Sequence, residues 1–342
     1  MKIAVIGAGA MGGMLAVRLA LSGQSVTVVD RGAHLEAIQR NGLKLIRPDG
    51  AEETAKDLRA VASCTDAGPQ DLVFLALKAY VVEAAAPQMR ALFDANTVVV
   101  PIQNGLPWWY FQNFNGPHAG HRLKSADPSG VIERSIESRR IIGCVVYPAG
   151  EIVAPGVIKL LEGDRFPVGE LDGVESERVK NVSQALVGAG LKAPVLGDIR
   201  SEIWLKLWGN MSFNPISALT HATLVDICQE PATRELATDM MREAQAVAEK
   251  LGVSFRVPLE KRIEGAAKVG KHKTSTLQDV EAGRPVEVDA LIGSVIEVGE
   301  LTGTPTPATR AVYALLKLLV KTMHDEGARV VMQPSKALSG ER

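Results

Sequence analysis

Ile3–Ile6 is an unbroken apolar run, the pattern of a strand covered on both faces of a parallel sheet. Ala10–Leu21 follows with Met11, Met14, Leu15 and Leu19 at helical spacing, and Val26–Val29 is again a short continuous apolar run. Asp71–Leu77 and Thr97–Ile102 repeat the strand pattern, the latter ending at Gln103-Asn104-Gly105. Strands alternating with helices in this rhythm predict a doubly wound α/β sheet.

Beyond Arg140 the pattern changes. Ile141, Ile142, Val145 and Val146, then Val153–Leu161, are short apolar stretches punctuated by Pro148, Gly150, Pro155 and Gly156. They read as an antiparallel extension of the same sheet. After Asp198 the periodicity is helical. Pro231 and Gly252 bracket a stripe of Leu236, Met240, Ala244, Val247 and Leu251. Leu291, Ile292, Val295 and Ile296 begin a second helix that closes near Gly303, and Ala308–Met323 forms a third. The expected organisation is a sheet domain over residues 1–198, an all-helical domain over 199–333, and a polar, frayed tail at 334–342.

Composition narrows the function. The 342 residues carry 38 Lys+Arg against 39 Asp+Glu, a net charge of −1, which argues against electrostatic binding of nucleic acid. Three cysteines, Cys64, Cys144 and Cys228, lie far apart, as in a protein of a reducing compartment without a disulfide framework. Lys2 and the apolar run after it imitate an export signal, but Gly7, Gly9, Gly12 and Gly13 break that run and Arg18 charges it. No apolar run reaches the roughly 18 residues of a membrane span. A cytoplasmic location is expected. The six histidines show no ligand spacing, so no metal is expected, and His118 and His121 read as exposed loop residues.

Candidate chemistry starts at Gly7-Ala8-Gly9-Ala10-Met11-Gly12, placed directly between a strand and a helix. Glycines there permit a tight turn and let a pyrophosphate approach the helix N-terminus, which makes the sheet Rossmann-type. Asp30, at the end of the next strand, suits a ribose 2′-hydroxyl, whereas the adjacent Arg31 suits a 2′-phosphate or stacks on adenine. NAD(H) and NADP(H) both stay open.

Those glycines, together with Leu77-Lys78-Ala79, Gln103-Asn104-Gly105, the run Glu202-Ile203-Trp204-Leu205-Lys206-Leu207 to Asn210 and Asn214-Pro215, and finally Ser275-Thr276-Leu277-Gln278-Asp279 with Glu287, resemble the ketopantoate reductase (2-dehydropantoate 2-reductase) family. The resemblance spans nearly the whole chain. It implies an N-terminal Rossmann domain, a helical C-terminal domain, an active site in the cleft between them, and hydride delivery from NADPH to the keto carbon of a small 2-keto acid. It assigns catalysis to Lys206 and Glu287, with Glu287 matching the substrate-binding glutamate. Asn104, Asn210, Asn214 and Ser275 match the substrate pocket, and Gly7, Gly9, Gly12, Asp30, Arg31, Lys78 and Asn104 the cofactor side.

Each position also has a plainer reading. Lys206 and Asn210, four apart, share a helix face and could converge on one ligand, or Lys206 could be a surface lysine between Trp204 and Trp208. An ammonium beside a reduced carbonyl would stabilise and protonate the alkoxide, help worth roughly 10²–10⁴ in rate. Glu287 would complement a helix N-terminus, Ser275 with Gln278 reads as a capping box, and Asn104-Gly105 as a turn. Lys78 would be a solvated lysine at a helix start. The basic run Lys261, Arg262, Lys268, Lys271, His272, Lys273 is a solvated face or a lure for an anionic substrate.

Two features depart from the family pattern. Asp30 disfavours NADPH, and the stretch from Asn104 to Arg140 is long and carries Trp108-Trp109, more apolar area than a dimethyl group requires. Trp108 and Trp109 therefore read as a specificity element or as core packing. The alternatives to a ketopantoate reductase serving pantothenate and coenzyme A synthesis are an NAD-dependent D-2-hydroxyacid (mandelate-type) dehydrogenase with a bulkier substrate and a non-catalytic nucleotide sensor. A homodimer through the helical half is a further expectation, with no nucleic-acid or membrane partner.

Overall fold

The computed structural model describes residues 1–333; the expectation of a frayed tail at 334–342 lies outside them. The chain divides into two compact units, Met1–Ile203 and the remainder from Trp204 onward.

The first unit begins β1 (Lys2–Ile6), α1 (Ala10–Leu21), β2 (Ser25–Val29) and α2 (Gly32–Asn41). It continues through β3 (Leu43–Ile46), β4 (Glu52–Ala55), β5 (Arg59–Val61), α3 (Cys64–Ala67), β6 (Leu72–Leu75), α4 (Ala79–Ala85) and β7 (Val98–Pro101). Strands β5-β2-β1-β6-β7 form one all-parallel sheet in that order. The order reverses direction between β1 and β6, and at such a switch point the carboxyl ends of the strands form the ligand crevice of an open α/β sheet. The loops after β1, β6 and β7, carrying Gly7, Lys78 and Asn104, therefore leave from one edge.

The later strands correct the expected extension of this sheet. After α5 (Val131–Ser135) come β8 (Gly143–Cys144), β9 (Ala149–Ala154), β10 (Val157–Glu162) and β11 (Val168–Gly169). Strands β9 and β10 do not join the main sheet. They complete a separate four-stranded sheet of order β4-β3-β10-β9, in which β10 runs parallel to β3 and antiparallel to β9. The reason is α1, which packs against strands of both sheets. A Cβ on Gly13 would lie 2.8 Å from Ile158 of β10 and 2.9 Å from the Ala8 carbonyl, so the missing side chain lets this helix fit. Strands β8 and β11 pair with each other, Val168 of β11 also bridges Val195, and just before β8 Ile141 bridges Val99 of β7. Val179, Val182 and Leu186 of α6 (Glu177–Gly188) join the same apolar core as β1, β2 and β6.

Helix α7 (Ile199–Thr220) spans the division between the units. The second unit adds α8 (Leu224–Gln229), α9 (Pro231–Lys250), α10 (Leu259–Lys268), α11 (Ser275–Glu281), a π turn at Asp289–Gly293, α12 (Ser294–Thr302) and α13 (Pro307–Asp325). Trp208 of α7 is fully buried, donates Nε1–H to the Met241 carbonyl of α9 at 2.6 Å, and tilts against Phe255 with ring centroids 4.3 Å apart. Truncating such an aromatic typically costs about 3–5 kcal/mol. Glu243 of α9 accepts from the N–H groups of Ala308 and Thr309 at 2.8 and 2.9 Å, satisfying donors that the first turn of α13 leaves open. Among the described residues, no helix is long and apolar enough to cross a membrane.

Candidate active site

The glycine loop after β1 is tight where it must pack and open where a ligand must approach. Gly7 has φ +93°, and a Cβ there would press to 2.8 Å from Leu77 in the loop after β6. A Cβ on Gly12 would sit on the Gly7 carbonyl oxygen, far inside van der Waals contact. A Cβ on Gly9 would meet nothing within 4 Å, and no side chain caps α1, whose N-cap is Gly9. That combination fits a dinucleotide pyrophosphate at the start of α1.

Asp30 faces this loop. Its Oδ2 accepts the Ala8 N–H at 2.6 Å and its Oδ1 the Arg31 N–H at 2.7 Å. The carboxylate is thus a brace within the loop, while Arg31 is exposed at the N-cap of α2. Exposed Lys78 is the N-cap of α4, and half-buried Asn104 follows β7. Gln103 ties the two strand ends together, its Nε2 donating to the carbonyls of Leu75 and Leu77 at 2.7 and 2.9 Å. Its motif drew attention to Asn104, and nothing in the spacing signalled the bracing amide beside it.

In the second unit the polar residues stand out against an apolar helix. Trp204, Leu205, Leu207 and Trp208 are buried, while Lys206 and Asn210 keep partial exposure. Helix α7 is therefore covered nearly all round, contrary to the surface-lysine reading of Lys206. Asn210 and then Asn214 follow Lys206 at successive turns, so the three form one stripe. At its far end Asn214 Nδ2 reaches Ser275 Oγ at 3.4 Å. The cap of α11 is Thr274, whose hydroxyl accepts the Leu277 N–H, so the capping-box reading of Ser275 is corrected. Ser275 is exposed, its hydroxyl turned to Asn214 and not to its own helix.

Glu287 is buried at 8% exposure and its carbonyl accepts from Leu291 where the π turn starts. Asp289, two residues on, is held by the Tyr313 hydroxyl at 2.6 Å and the Lys317 ammonium at 3.0 Å. Burial and that carboxylate together push the Tyr313 phenol well above its ordinary range. In the basic run, Lys261 and Lys273 are paired with Glu264 and Glu281, and the bond from Lys273 holds the Glu281 carboxyl below the usual carboxylate range.

Two further residues went unassigned from sequence. Glu202, at the start of α7, is buried with Tyr147 Oη and Arg165 Nη1 each 2.7 Å from its Oε1. Arg200 fixes the long segment after β7 by donating to the carbonyls of Tyr110 and Gln112 at 2.8 and 2.7 Å. Trp108 and Trp109 are buried in that unit at 4% and 1% exposure, and the Trp109 ring lies so close to Gly143 that a Cβ there would come within 2.9 Å of it. They are core packing with almost no surface to offer a ligand. His118 and His121 are half-buried with their rings against Phe111, a correction to the exposed-loop reading. The described residues hold no cluster of three or more His, Cys, Asp or Glu able to bind a metal.

Residues 3–108 match the family model described as ketopantoate reductase PanE/ApbA, and residues 198–320 match its C-terminal model. The 2-dehydropantoate 2-reductase of Mesorhizobium japonicum is 54% identical over 320 residues, 93% of this chain and 98% of its own length. The chain belongs to the ketopantoate reductase family. A solved structure from Ralstonia solanacearum MolK2, assigned to the ketopantoate reductases, superposes with TM-score 0.90 at 39% identity, covering 94% of this chain and 98% of that one. D-mandelate dehydrogenase, in a complex with NADH and anilino(oxo)acetate, reaches TM-score 0.81 at 22% identity over 95% of this chain and 100% of its own, a likeness of fold alone. Within the family's architecture, the glycine loop and strand ends belong to the first unit, and the Lys206–Asn210–Asn214 stripe, Ser275 and Glu287 to the second.

Proposed function

We propose that this protein reduces 2-dehydropantoate (ketopantoate) to pantoate, a step of pantothenate and coenzyme A synthesis, with NADPH or NADH as reductant. The observation that carries the reading is the near end-to-end 54% identity to a 2-dehydropantoate 2-reductase, supported by a polar stripe on an otherwise buried helix.

The bound nicotinamide supplies a hydride to the keto carbon. Residues 1–198 bind the dinucleotide: Gly7, Gly9 and Gly12 admit the pyrophosphate, Asp30 and Arg31 meet the adenosine ribose, and Lys78 and Asn104 line the crevice edge. Residues 199–333 handle the substrate. Lys206 donates a proton to the alkoxide oxygen as it forms, and its compact ammonium also stabilises the developing charge. The amides of Asn210 and Asn214 and the Ser275 hydroxyl donate to the substrate's oxygens. The Glu287 carboxyl takes the end of the substrate opposite the substrate's own carboxylate, accepting a hydrogen bond from the terminal hydroxyl of ketopantoate.

That last assignment separates this reading from the mandelate-type alternative, whose substrate has an aryl group and no terminal hydroxyl. Steady-state assays with NADPH and NADH, each on ketopantoate and on benzoylformate, decide between them. Strong preference for ketopantoate supports the proposal, and preference for benzoylformate overturns it. The same assays fix the choice of cofactor. The three free, buried cysteines favour a reducing, cytoplasmic setting, and the helical half is the proposed place for a homodimer contact.

A further inference from the structure

Ala8, between the first two glycines of the loop, is gripped at both of its peptide bonds. Its N–H donates to Asp30 Oδ2 at 2.6 Å, and its carbonyl oxygen lies 2.9 Å from Nε2 of His34. The other ring nitrogen of His34, Nδ1, is 3.0 Å from the N–H of Gly156. A backbone N–H can only donate, so Nδ1 accepts, and the ring proton sits on Nε2, which donates to Ala8. Gly156 has φ +74° in the turn joining β9 and β10. A hydrogen-bonded relay thus runs from the second sheet, through the imidazole, into the loop after β1.

The peptide unit held by His34 is the one whose N–H belongs to Gly9. In a trans peptide the carbonyl and the N–H point to opposite sides. Anchoring the Ala8 carbonyl on His34 therefore turns the Gly9 N–H away from the ring. Gly9 is also the loop position where a Cβ would find open space, at the N-cap of α1. A hydrogen bond at the carbonyl polarises the same amide and strengthens its N–H as a donor.

We propose that His34 is a positioning residue for the cofactor, aiming the Gly9 N–H at the pyrophosphate of the nicotinamide dinucleotide. It acts through the Ala8–Gly9 peptide without touching the cofactor, and it makes the β9–β10 turn a strut for the binding loop. The inference rests on the reading of this protein as an NAD(P)H-dependent enzyme.

The test is calorimetric titration of NADPH and of NADH into wild type, His34→Leu and His34→Gln, with steady-state kinetics on the same proteins. His34→Leu should weaken both cofactors by about tenfold, equivalent to about 1.4 kcal/mol, since both share the pyrophosphate. Its kcat at saturating cofactor should stay within about twofold of wild type, as expected when binding is lost without loss of chemistry. His34→Gln, whose carboxamide offers one donor and one acceptor, should recover most of the affinity. Should His34→Leu fail to fold, His34→Met carries the same expectation. Unchanged affinity in the apolar variants, or loss confined to one of the two cofactors, overturns the role of His34. A wild-type protein that binds neither cofactor overturns the enzyme reading itself, a result seen before any variant is compared.

Discussion

Asn214 of α7 and Ser275 of α11 meet at 3.4 Å, Nδ2 to Oγ, and this bond joins the polar stripe on the buried helix to the first turn of a second helix. At that length the bond is weak, so it aligns the two groups without consuming them. Both should serve the substrate more than the fold. Asn214→Ala and Ser275→Ala should each raise the KM for ketopantoate roughly 10- to 150-fold, the range for a hydrogen bond to a charged group. The double variant should lose less than the product of the two, because the residues act on one ligand. Strict additivity, or a large fall in Tm with KM unchanged, would assign the pair to the scaffold.

Gly9 and Gly12 belong to one motif and should respond in opposite ways to the same substitution. Gly12→Ala places a Cβ on the Gly7 carbonyl and should cost more than about 3 kcal/mol of stability. Gly9→Ala adds a methyl group in open space at φ −57° and ψ −173°, an extended negative-φ conformation that alanine adopts, so its Tm should match or slightly exceed wild type. Its cofactor affinity should nevertheless fall by about tenfold or more, because the backbone loses its close approach to the pyrophosphate. Thermal melts paired with cofactor titrations check both halves, and a destabilised Gly9→Ala with normal binding would contradict the account of the loop.

Much of this was legible in the sequence because its physical cause is local. Continuous apolar runs gave β1, β2, β6 and β7, and the glycine spacing gave the loop. The strands after Arg140 differ from the expected extension because β10 pairs with β3, about a hundred residues away, and no periodicity records that pairing. Ser275 carries a capping signature beside its substrate-pocket match because Ser and Thr at neighbouring positions look alike in sequence, and only the backbone shows that Thr274 fills the cap. The sequence leaves Trp108 and Trp109 open between a specificity element and core packing, because their burial inside the first unit depends on Gly143 and Arg200, both remote in sequence. In sequence His34 is only a histidine without metal-ligand spacing. Its partners, Ala8 and Gly156, bond through backbone atoms, which side-chain patterns do not encode.

Tyr313 gives the fold an alkaline limit that can be measured. Its phenol is pushed up by burial and by the Asp289 carboxylate, so the folded state favours the protonated form. Below the ordinary tyrosine pKa of about 10 both states hold the proton and stability is unaffected. As pH rises past that value the unfolded chain releases the proton first, and stability falls. Urea unfolding from pH 8 to 11 should show a steeper loss in wild type than in Tyr313→Phe, by about 1.4 kcal/mol per pH unit at most for one proton. Parallel curves for the two proteins would place the alkaline sensitivity elsewhere.

The proposed proton donor, Lys206, sits partly exposed on an otherwise buried helix. The most direct measurement is single-turnover oxidation of bound NADPH or NADH by ketopantoate in wild type and Lys206→Ala, with cofactor Kd measured alongside. General-acid catalysis predicts that the variant loses roughly 100-fold or more in the rate of turnover while its cofactor Kd stays within about twofold. A variant that turns over at the wild-type rate would contradict the assignment of the proton donor and, with it, the mechanism proposed for this protein.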